Sequence, residues 1–271
     1  MQDGKIELSK NDITTNLPYD PRVSLAFDHH ESEVDRLKAI ETGGKLIIDP
    51  KARSAARVVY DYYGGKEAFP RISEDLMAAV DKGDGADFTM DEILDPKGWV
   101  LLHYLMDART GLGRFHHFRI SNYDLMMQLI DYCLDHDIDE ILELPDVKER
   151  VELYFEQAEQ FKAQLRRIAR VHDKVVVLDL RKEEVIHAGN RFMIYALYPE
   201  TEISVHVAWG FRKQNTAVMI GKSIVNKASQ VDIGELCLQY GGGGHRNAGT
   251  CQMDNDVVDE KLPDIIRALN G

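Results

Sequence analysis

The residues of the first half of the chain that are best suited to chemistry are one aspartate and two consecutive histidines, Asp28-His29-His30. They directly follow the apolar run 23–27, which is short, bounded by proline and charge, and typical of a buried strand. In open α/β sheets, ligands bind beyond the carboxyl ends of strands. A carboxylate and imidazoles together suit a divalent metal ion. The tripeptide is therefore a candidate metal site, and the alternative is a solvated loop with two chance histidines.

A second group of carboxylates, Asp81, Asp84 and Asp87, lies in the sequence AAVDKGDGADF. Their spacing places them on one face for as long as the helix persists, and Gly83 and Gly85 indicate that the helix ends there. Asp84 is then at the junction of helix and loop, where its side chain can reach a metal ion. The alternative is an acidic, solvated helix end.

A run of four glycines precedes His245 and Arg246. Glycine has no Cβ, so its backbone can approach an anion closely and can adopt positive φ. Successive exposed N–H groups can form an anion-binding concavity, and the planar guanidinium of Arg246 suits phosphate. The run lies between an amphipathic helix and a strand, and it lacks the serines of a flexible linker. These features favour an anion site over a linker at 241–246.

The segment from Arg109 to Arg119 combines basic and aromatic residues in the sequence RTGLGRFHHFR. Such residues can hold phosphates and stack bases. A loop at a domain interface accounts for the same composition. Both interpretations stay open.

The composition limits how an anionic substrate is held. The chain has 33 Lys and Arg against 46 Asp and Glu, a formal net charge of −13. Its overall field does not attract phosphate, so phosphate must be held locally by a metal or a basic patch. No apolar run is long enough to span a membrane, and the three cysteines form no CxxC pair. We expect a soluble, cytoplasmic protein without a membrane partner.

Hydrophobic periodicity places these residues on a series of helices followed by a series of strands. Helices are predicted over 54–63, 73–84, 99–106, 123–134, 147–171, 231–240 and 257–269, and strands over 23–27, 174–180, 192–198, 203–209, 216–220 and 249–253. The long helix 147–171 would join two α/β domains, of which the first contains a parallel sheet.

Taken together, DHH after a strand, the DKGDGADF cluster, a connecting helix and GGGGHRNAG resemble the DHH phosphoesterase family. The order and spacing match over about residues 12–253. The resemblance implies a partial parallel-sheet DHH domain (1–144), a linker helix (145–172) and a smaller mixed-sheet DHH-associated domain (173–271) that binds substrate.

The resemblance also implies an activity, that of a metal-dependent phosphoesterase using Mn²⁺, with Mg²⁺ as the alternative. Its substrates would be short single-stranded oligonucleotides or related small phosphorylated molecules, cleaved at phosphoester or phosphoanhydride bonds. Two other functions stay open: an exopolyphosphatase, and a catalytically impaired nucleotide-binding or nucleic-acid-binding protein that keeps only the anion site. The sequence also leaves open whether the chain is a monomer or a homodimer.

The resemblance assigns roles residue by residue. His29 and Asp84 match metal ligands, Asp28 supports the metal site and catalysis, and His30 is the catalytic contact to phosphate. The residues that match substrate-binding or phosphate-binding positions are Gly243, Gly244, His245, Arg246, Ser223 and Arg109.

Two departures from the family pattern concern the metal site. The first family motif, a DxD-type pair on an opening strand, has no counterpart in this sequence. Asn16 stands where the family has an aspartate that bridges two cations, with Asp12 as an imperfect substitute. We therefore expect that Met1 is an internal methionine of a longer protein, the competing explanation being a reduced family member. We also expect this chain to bind Mn²⁺ weakly and to hydrolyse slowly or not at all.

Overall fold

The computed structural model describes residues 7–30, 33–34, 37, 42–115 and 117–271. The chain forms two compact units. The first contains 1–87 with 133–135, and the second contains 88–132 with 136–271. The functional domain boundaries 1–144, 145–172 and 173–271 remain a prediction. His116, within the basic and aromatic stretch, lies outside the described residues.

The described strands of the first unit form a parallel sheet. β1 (Ile13–Thr15), β2 (Leu25–Asp28) and β3 (Leu46–Ile48) lie in that order, with β2 in the centre. The side chains of Ala26 and Phe27 are buried. The carboxyl ends of parallel strands meet at one edge of a sheet, so the residues that follow β1 and β2 lie at the same edge.

Two helices of this unit have the boundaries that their caps predict. α1 (Ala55–Tyr62) begins after Ser54, and α2 (Glu74–Asp84) begins after Ser73; each serine side chain accepts a backbone N–H three residues on. The last residue of α2 is Asp84, which puts this carboxylate at a helix end as predicted.

The second unit begins with helices. They are α3 (Met90–Leu94), α4 (Gly98–Met106), α5 (Asn122–Asp135, which ends in the first unit), α6 (Ile138–Leu142) and α7 (Pro145–Ile168), with 3₁₀ turns at Ala108–Thr110 and Leu112–Arg114. The predicted long helix is confirmed as α7, although 169–172 form a strand. None of the described helices combines the length and apolar character needed to cross a membrane.

A mixed sheet follows, in the order β4-β5-β6-β7-β9-β8. Its strands are β4 (Ala169–His172), β5 (Val175–Asp179), β6 (Ile203–Trp209), β7 (Thr216–Lys222), β8 (Gly243–His245) and β9 (Ala248–Met253). Only the β5–β6 pairing among these is parallel. Apolar residues of α9 (Ile233–Gln239) and α10 (Val258–Asn270) pack into one core with the strands. The α/β fold class is confirmed.

The strand predicted over 192–198 is wrong. This segment forms the short helix α8 (Met193–Leu197). Its consecutive residues Phe192, Met193, Ile194 and Tyr195 are all buried. A short run that is buried on every side lacks the alternation that separates strand from helix, so periodicity could not decide between them.

Candidate active site

His29 and Asp84 meet at the sheet edge of the first unit. His29 follows β2, and its Nε2 lies 3.2 Å from Oδ2 of Asp84 at the end of α2. The Nδ1–H of His29 donates to the carbonyl oxygen of Ala52 at 3.2 Å, because a carbonyl can only accept. In the neutral ring, Nε2 therefore turns its lone pair toward the carboxylate. This buried nitrogen makes no hydrogen bond with the described residues.

These two side chains fit a divalent cation. An octahedral ion with bonds of about 2.1 Å places neighbouring ligands about 3.0 Å apart. The observed separation of 3.2 Å is close to that value. The bond from His29 to a backbone carbonyl is also the usual outer contact of a metal-bound histidine. Within the described ranges, no group of three or more His, Cys, Asp or Glu side chains converges on one point. His29 and Asp84 are therefore candidates for two of the ligands of a divalent cation.

Asn16, and not Asp12, occupies the position at the carboxyl edge of β1. Asp12 precedes the strand, and its Oδ2 accepts hydrogen bonds from the backbone and hydroxyl of Ser9. Asn16 follows the strand with a left-handed backbone (φ 58°). It lines a cavity of about 480 Å³ together with Asp84. A neutral amide thus lines the same cavity as Asp84.

Asp28 orients His30. The Asp28 side chain is 2% exposed, and its Oδ1 accepts the backbone N–H of His29 (2.7 Å), the backbone N–H of His30 (3.1 Å) and Nδ1–H of His30 (2.7 Å). Burial works to raise the pKa of Asp28, but these hydrogen bonds bring it below its usual value. The hydrogen bond to Asp28 in turn raises the pKa of His30, against burial. Asp28 therefore favours an oriented, protonated imidazole at position 30.

The glycine run of the second unit contains two kinds of position. A Cβ on Gly242 would lie 2.2 Å from the Thr250 carbonyl oxygen, and one on Gly244 would lie 2.3 Å from that of Ala248. Both glycines are required by packing on β9. A Cβ on Gly243 would meet nothing within 4 Å. Gly243 is therefore the glycine of β8 whose missing side chain leaves space for a ligand.

Basic side chains lie at and near the end of β8. His245 ends β8, and Arg246 follows it; both are exposed. Burial and the charge of Arg246 lower the pKa of Lys222, so these two cations lie near each other. The structure thus brings Gly243, Gly244, His245 and Arg246 together with Lys222, the last residue of β7.

Ser223 and Arg109 have partners within the protein. Ser223 is 3% exposed, and its Oγ accepts the backbone N–H groups of Val225 (3.2 Å) and Asn226 (2.9 Å), which stabilises a turn. Arg109 donates from Nε to Oδ1 of Asp107 at 2.7 Å. A substrate contact of Ser223 or Arg109 stays a prediction.

Sequence reasoning missed Asp107 and Arg191, whose Nε lies 3.5 Å from Oδ2 of Asp107. Asp107 had a signal, because an aspartate two residues before Arg109 can cap a turn and bind its guanidinium. Arg191 had none, since its position beside Asp107 is created by tertiary folding.

Several solved structures are similar to this chain, including the following three. The pGpG-specific phosphodiesterase PggH from Vibrio cholerae is 53% identical, with 99% of this chain and 87% of that chain covered and a TM-score of 0.78. An exopolyphosphatase-related protein from Bacteroides fragilis is 15% identical (91% and 65% covered, TM-score 0.46). RecJ from Thermus thermophilus, in complex with Mg²⁺, is 16% identical (95% and 43% covered, TM-score 0.44). No protein-family model and no curated protein match the sequence.

Proposed function

The chain belongs to the DHH phosphoesterase family, and on that premise we propose that it hydrolyses short 5′-phosphorylated dinucleotides such as pGpG. It is a hydrolase of a family that depends on divalent metal ions. The observation that carries the choice of substrate is the 53% identity to a pGpG-specific phosphodiesterase over 99% of this chain. Water would add to the bridging phosphorus of pGpG while the bond to the 3′ oxygen breaks, which yields two molecules of 5′-GMP.

His29 and Asp84 would hold the metal ion. We propose Mn²⁺, with Mg²⁺ as the alternative, because a mixed imidazole and carboxylate shell suits Mn²⁺. When bound, such a cation polarises the phosphoryl group and lowers the pKa of a bound water toward neutral. The contact of His29 with the Ala52 carbonyl keeps Nε2 available as a ligand atom. A cytoplasmic location is part of the same proposal.

His30 would stabilise charge on the reacting phosphate. Its imidazole is held by the buried Asp28, and the raised pKa keeps a larger fraction of it protonated near neutral pH. A preoriented cation stabilises developing negative charge without reorganising during the reaction. Asp28 is then a positioning residue for His30. Its Oδ1 already accepts three hydrogen bonds.

The glycine run of the second unit would bind the phosphate backbone of the substrate. The open position at Gly243 allows close approach to backbone N–H groups, and His245 and Arg246 add side-chain donors. Lys222 adds a further cation beside Arg246. These contacts are local, as a protein with a net charge of −13 requires.

The test is release of 5′-GMP from pGpG with Mn²⁺, followed by chromatography. We expect slow but measurable turnover in the wild-type chain and none in His29→Ala. Parallel reactions with polyphosphate and longer oligonucleotides define the substrate class. Hydrolysis of polyphosphate without hydrolysis of pGpG would favour an exopolyphosphatase. Tight binding of pGpG with no turnover under any metal would favour an impaired binding protein.

A further inference from the structure

The carboxylate of Asp107 lies beside two arginines of the second unit, Arg109 and Arg191. The Asp107 side chain is 7% exposed. Its Oδ1 accepts the backbone N–H (2.9 Å) and Nε–H (2.7 Å) of Arg109. Its Oδ2 lies 3.5 Å from Nε of Arg191, a buried nitrogen on a side chain that is 33% exposed, and this Nε has no well-aligned hydrogen-bond partner among the described residues. One buried carboxylate therefore faces two guanidinium groups.

This cluster has an excess of positive charge. Among the described residues, Arg109 and Arg191 share a single carboxylate within ion-pair distance, that of Asp107. Burial and repulsion from Arg109 lower the pKa of Arg191, so the two cations lie close together. Like charges repel more strongly where solvent screening is weak, so the repulsion between the two guanidinium groups destabilises the ligand-free protein. A bound anion would remove it.

The backbone that carries Arg191 is fixed in place. The side chain of Asn190 is buried and donates to the Ile93 carbonyl oxygen at 3.1 Å. The backbone N–H of Gly189 donates to the Thr110 carbonyl oxygen at 3.0 Å, which ties this segment to the turn that carries Arg109. Both guanidinium groups therefore lie on segments bonded to each other. A preorganised site of this kind loses little entropy on binding a ligand.

We propose that Arg109 and Arg191 bind the 5′-terminal phosphate of the dinucleotide. This inference rests on the proposed function. A terminal phosphate carries about −1.5 to −2 charges at pH 7, enough to balance the second cation. A planar guanidinium bonds phosphate through two parallel N–H groups. The guanidinium carbon of Arg191 lies 4.2 Å from the centre of the Phe192 ring, which fixes the orientation of the fork. The site distinguishes pGpG from GpG, which has no terminal phosphate.

The experiment compares equilibrium binding of pGpG and GpG in EDTA, where hydrolysis does not interfere. We expect the wild-type chain to bind pGpG at least about tenfold more tightly than GpG. Arg191→Gln should lose about tenfold to a hundredfold in affinity for pGpG, and lose nothing for GpG. Arg191→Lys should keep part of the preference, because it keeps the charge without the fork. Thermal unfolding of each variant checks that it is folded.

Arg71→Gln is the matched control, since it removes the same group from an exposed ion pair with Asp135 in the first unit. It should keep the full preference. A wild-type chain that binds both dinucleotides equally or binds neither, or a preference that survives in Arg191→Gln, overturns the proposal. So does an Arg191→Gln variant that weakens GpG as much as pGpG. If added inorganic phosphate raises the affinity for GpG to that for pGpG, the site binds a free phosphate ion and the proposal is overturned. Absence of pGpG turnover with Mn²⁺ contradicts the proposed function and not this site.

Discussion

Two aspartates of α2, Asp81 and Asp84, should respond in opposite ways to the same substitution. Oδ1 of Asp81 accepts the hydroxyl of Ser54 at 2.7 Å, and Oδ2 accepts Nε (3.1 Å) and Nη2 (2.6 Å) of Arg57. Both oxygens of this buried carboxylate are therefore used to join α1 to α2. Asp84 has an oxygen that faces the unpartnered Nε2 of His29. We therefore expect the Asp81 carboxylate to be structural and the Asp84 carboxylate to be the metal ligand.

The stability effects follow from these contacts. In Asp81→Asn the amide oxygen can still accept from Arg57 while the N–H faces the Ser54 hydroxyl, but the negative charge that pairs with Arg57 is lost, which costs about 2–3 kcal/mol after allowance for the partial exposure of Arg57. In Asp84→Asn an N–H in place of Oδ2 can donate to His29, while the 3.3 Å hydrogen bond from the Ala55 N–H to Oδ2 is lost. These two changes offset, so the free energy of unfolding without metal should change by no more than about 1 kcal/mol.

For metal affinity the order is reversed, and Asp84→Asn should have the larger effect. Removing a residue that only hydrogen-bonds a metal ligand already costs about tenfold to a hundredfold in metal affinity, and loss of the charged ligand in Asp84→Asn should cost at least a hundredfold. Asp81→Asn should stay within about threefold of the wild type at temperatures where it is folded. Urea unfolding in EDTA gives the stabilities, and a Mn²⁺ titration followed by the signal of free Mn²⁺ gives the affinities. Equal affinity in Asp84→Asn and the wild type, or equal losses in both variants, would refute the assignment of Asp84 as a ligand.

Three further predictions concern other parts of the chain. Asp28→Asn should lower the pH at which His30 loses its proton, as followed by NMR of the ring protons; an unchanged midpoint would contradict the positioning role. Burial lowers the pKa of His206 to about 4, so its protonation favours the unfolded chain. Stability should therefore fall between about pH 6.5 and 4, by about 2 kcal/mol because the ring is partly exposed, and urea unfolding of His206→Gln should lack this loss. Gly242→Ala should destabilise the second unit by at least about 2 kcal/mol through its clash with β9, whereas Gly243→Ala should leave stability unchanged and weaken pGpG binding; equal stabilities would refute the packing argument.

Local signals in the sequence predicted the elements that position the candidate site. Ser54 and Ser73 mark the starts of α1 and α2, and the apolar run before Asp28 marks β2. Each of these signals depends on residues that are close together in the sequence, so it can be recognised without the structure. The strand β8 was missed, because glycine has low strand propensity and Gly243 and Gly244 pair with β9 only through the tertiary fold.

The role of each aspartate could not be read from the sequence. Asp28, Asp81 and Asp107 are all buried, and donors from their surroundings occupy them, so each orients a neighbouring imidazole or guanidinium. Asp84 lies at a helix end opposite Nε2 of His29, a nitrogen that makes no hydrogen bond with the described residues. The number of donors around a carboxylate, and not its burial or its spacing, therefore separates the positioning aspartates of this chain from the proposed metal ligand. That number depends on residues distant in the sequence, such as Arg57 for Asp81 and His29 for Asp84, and becomes known only once the chain is folded.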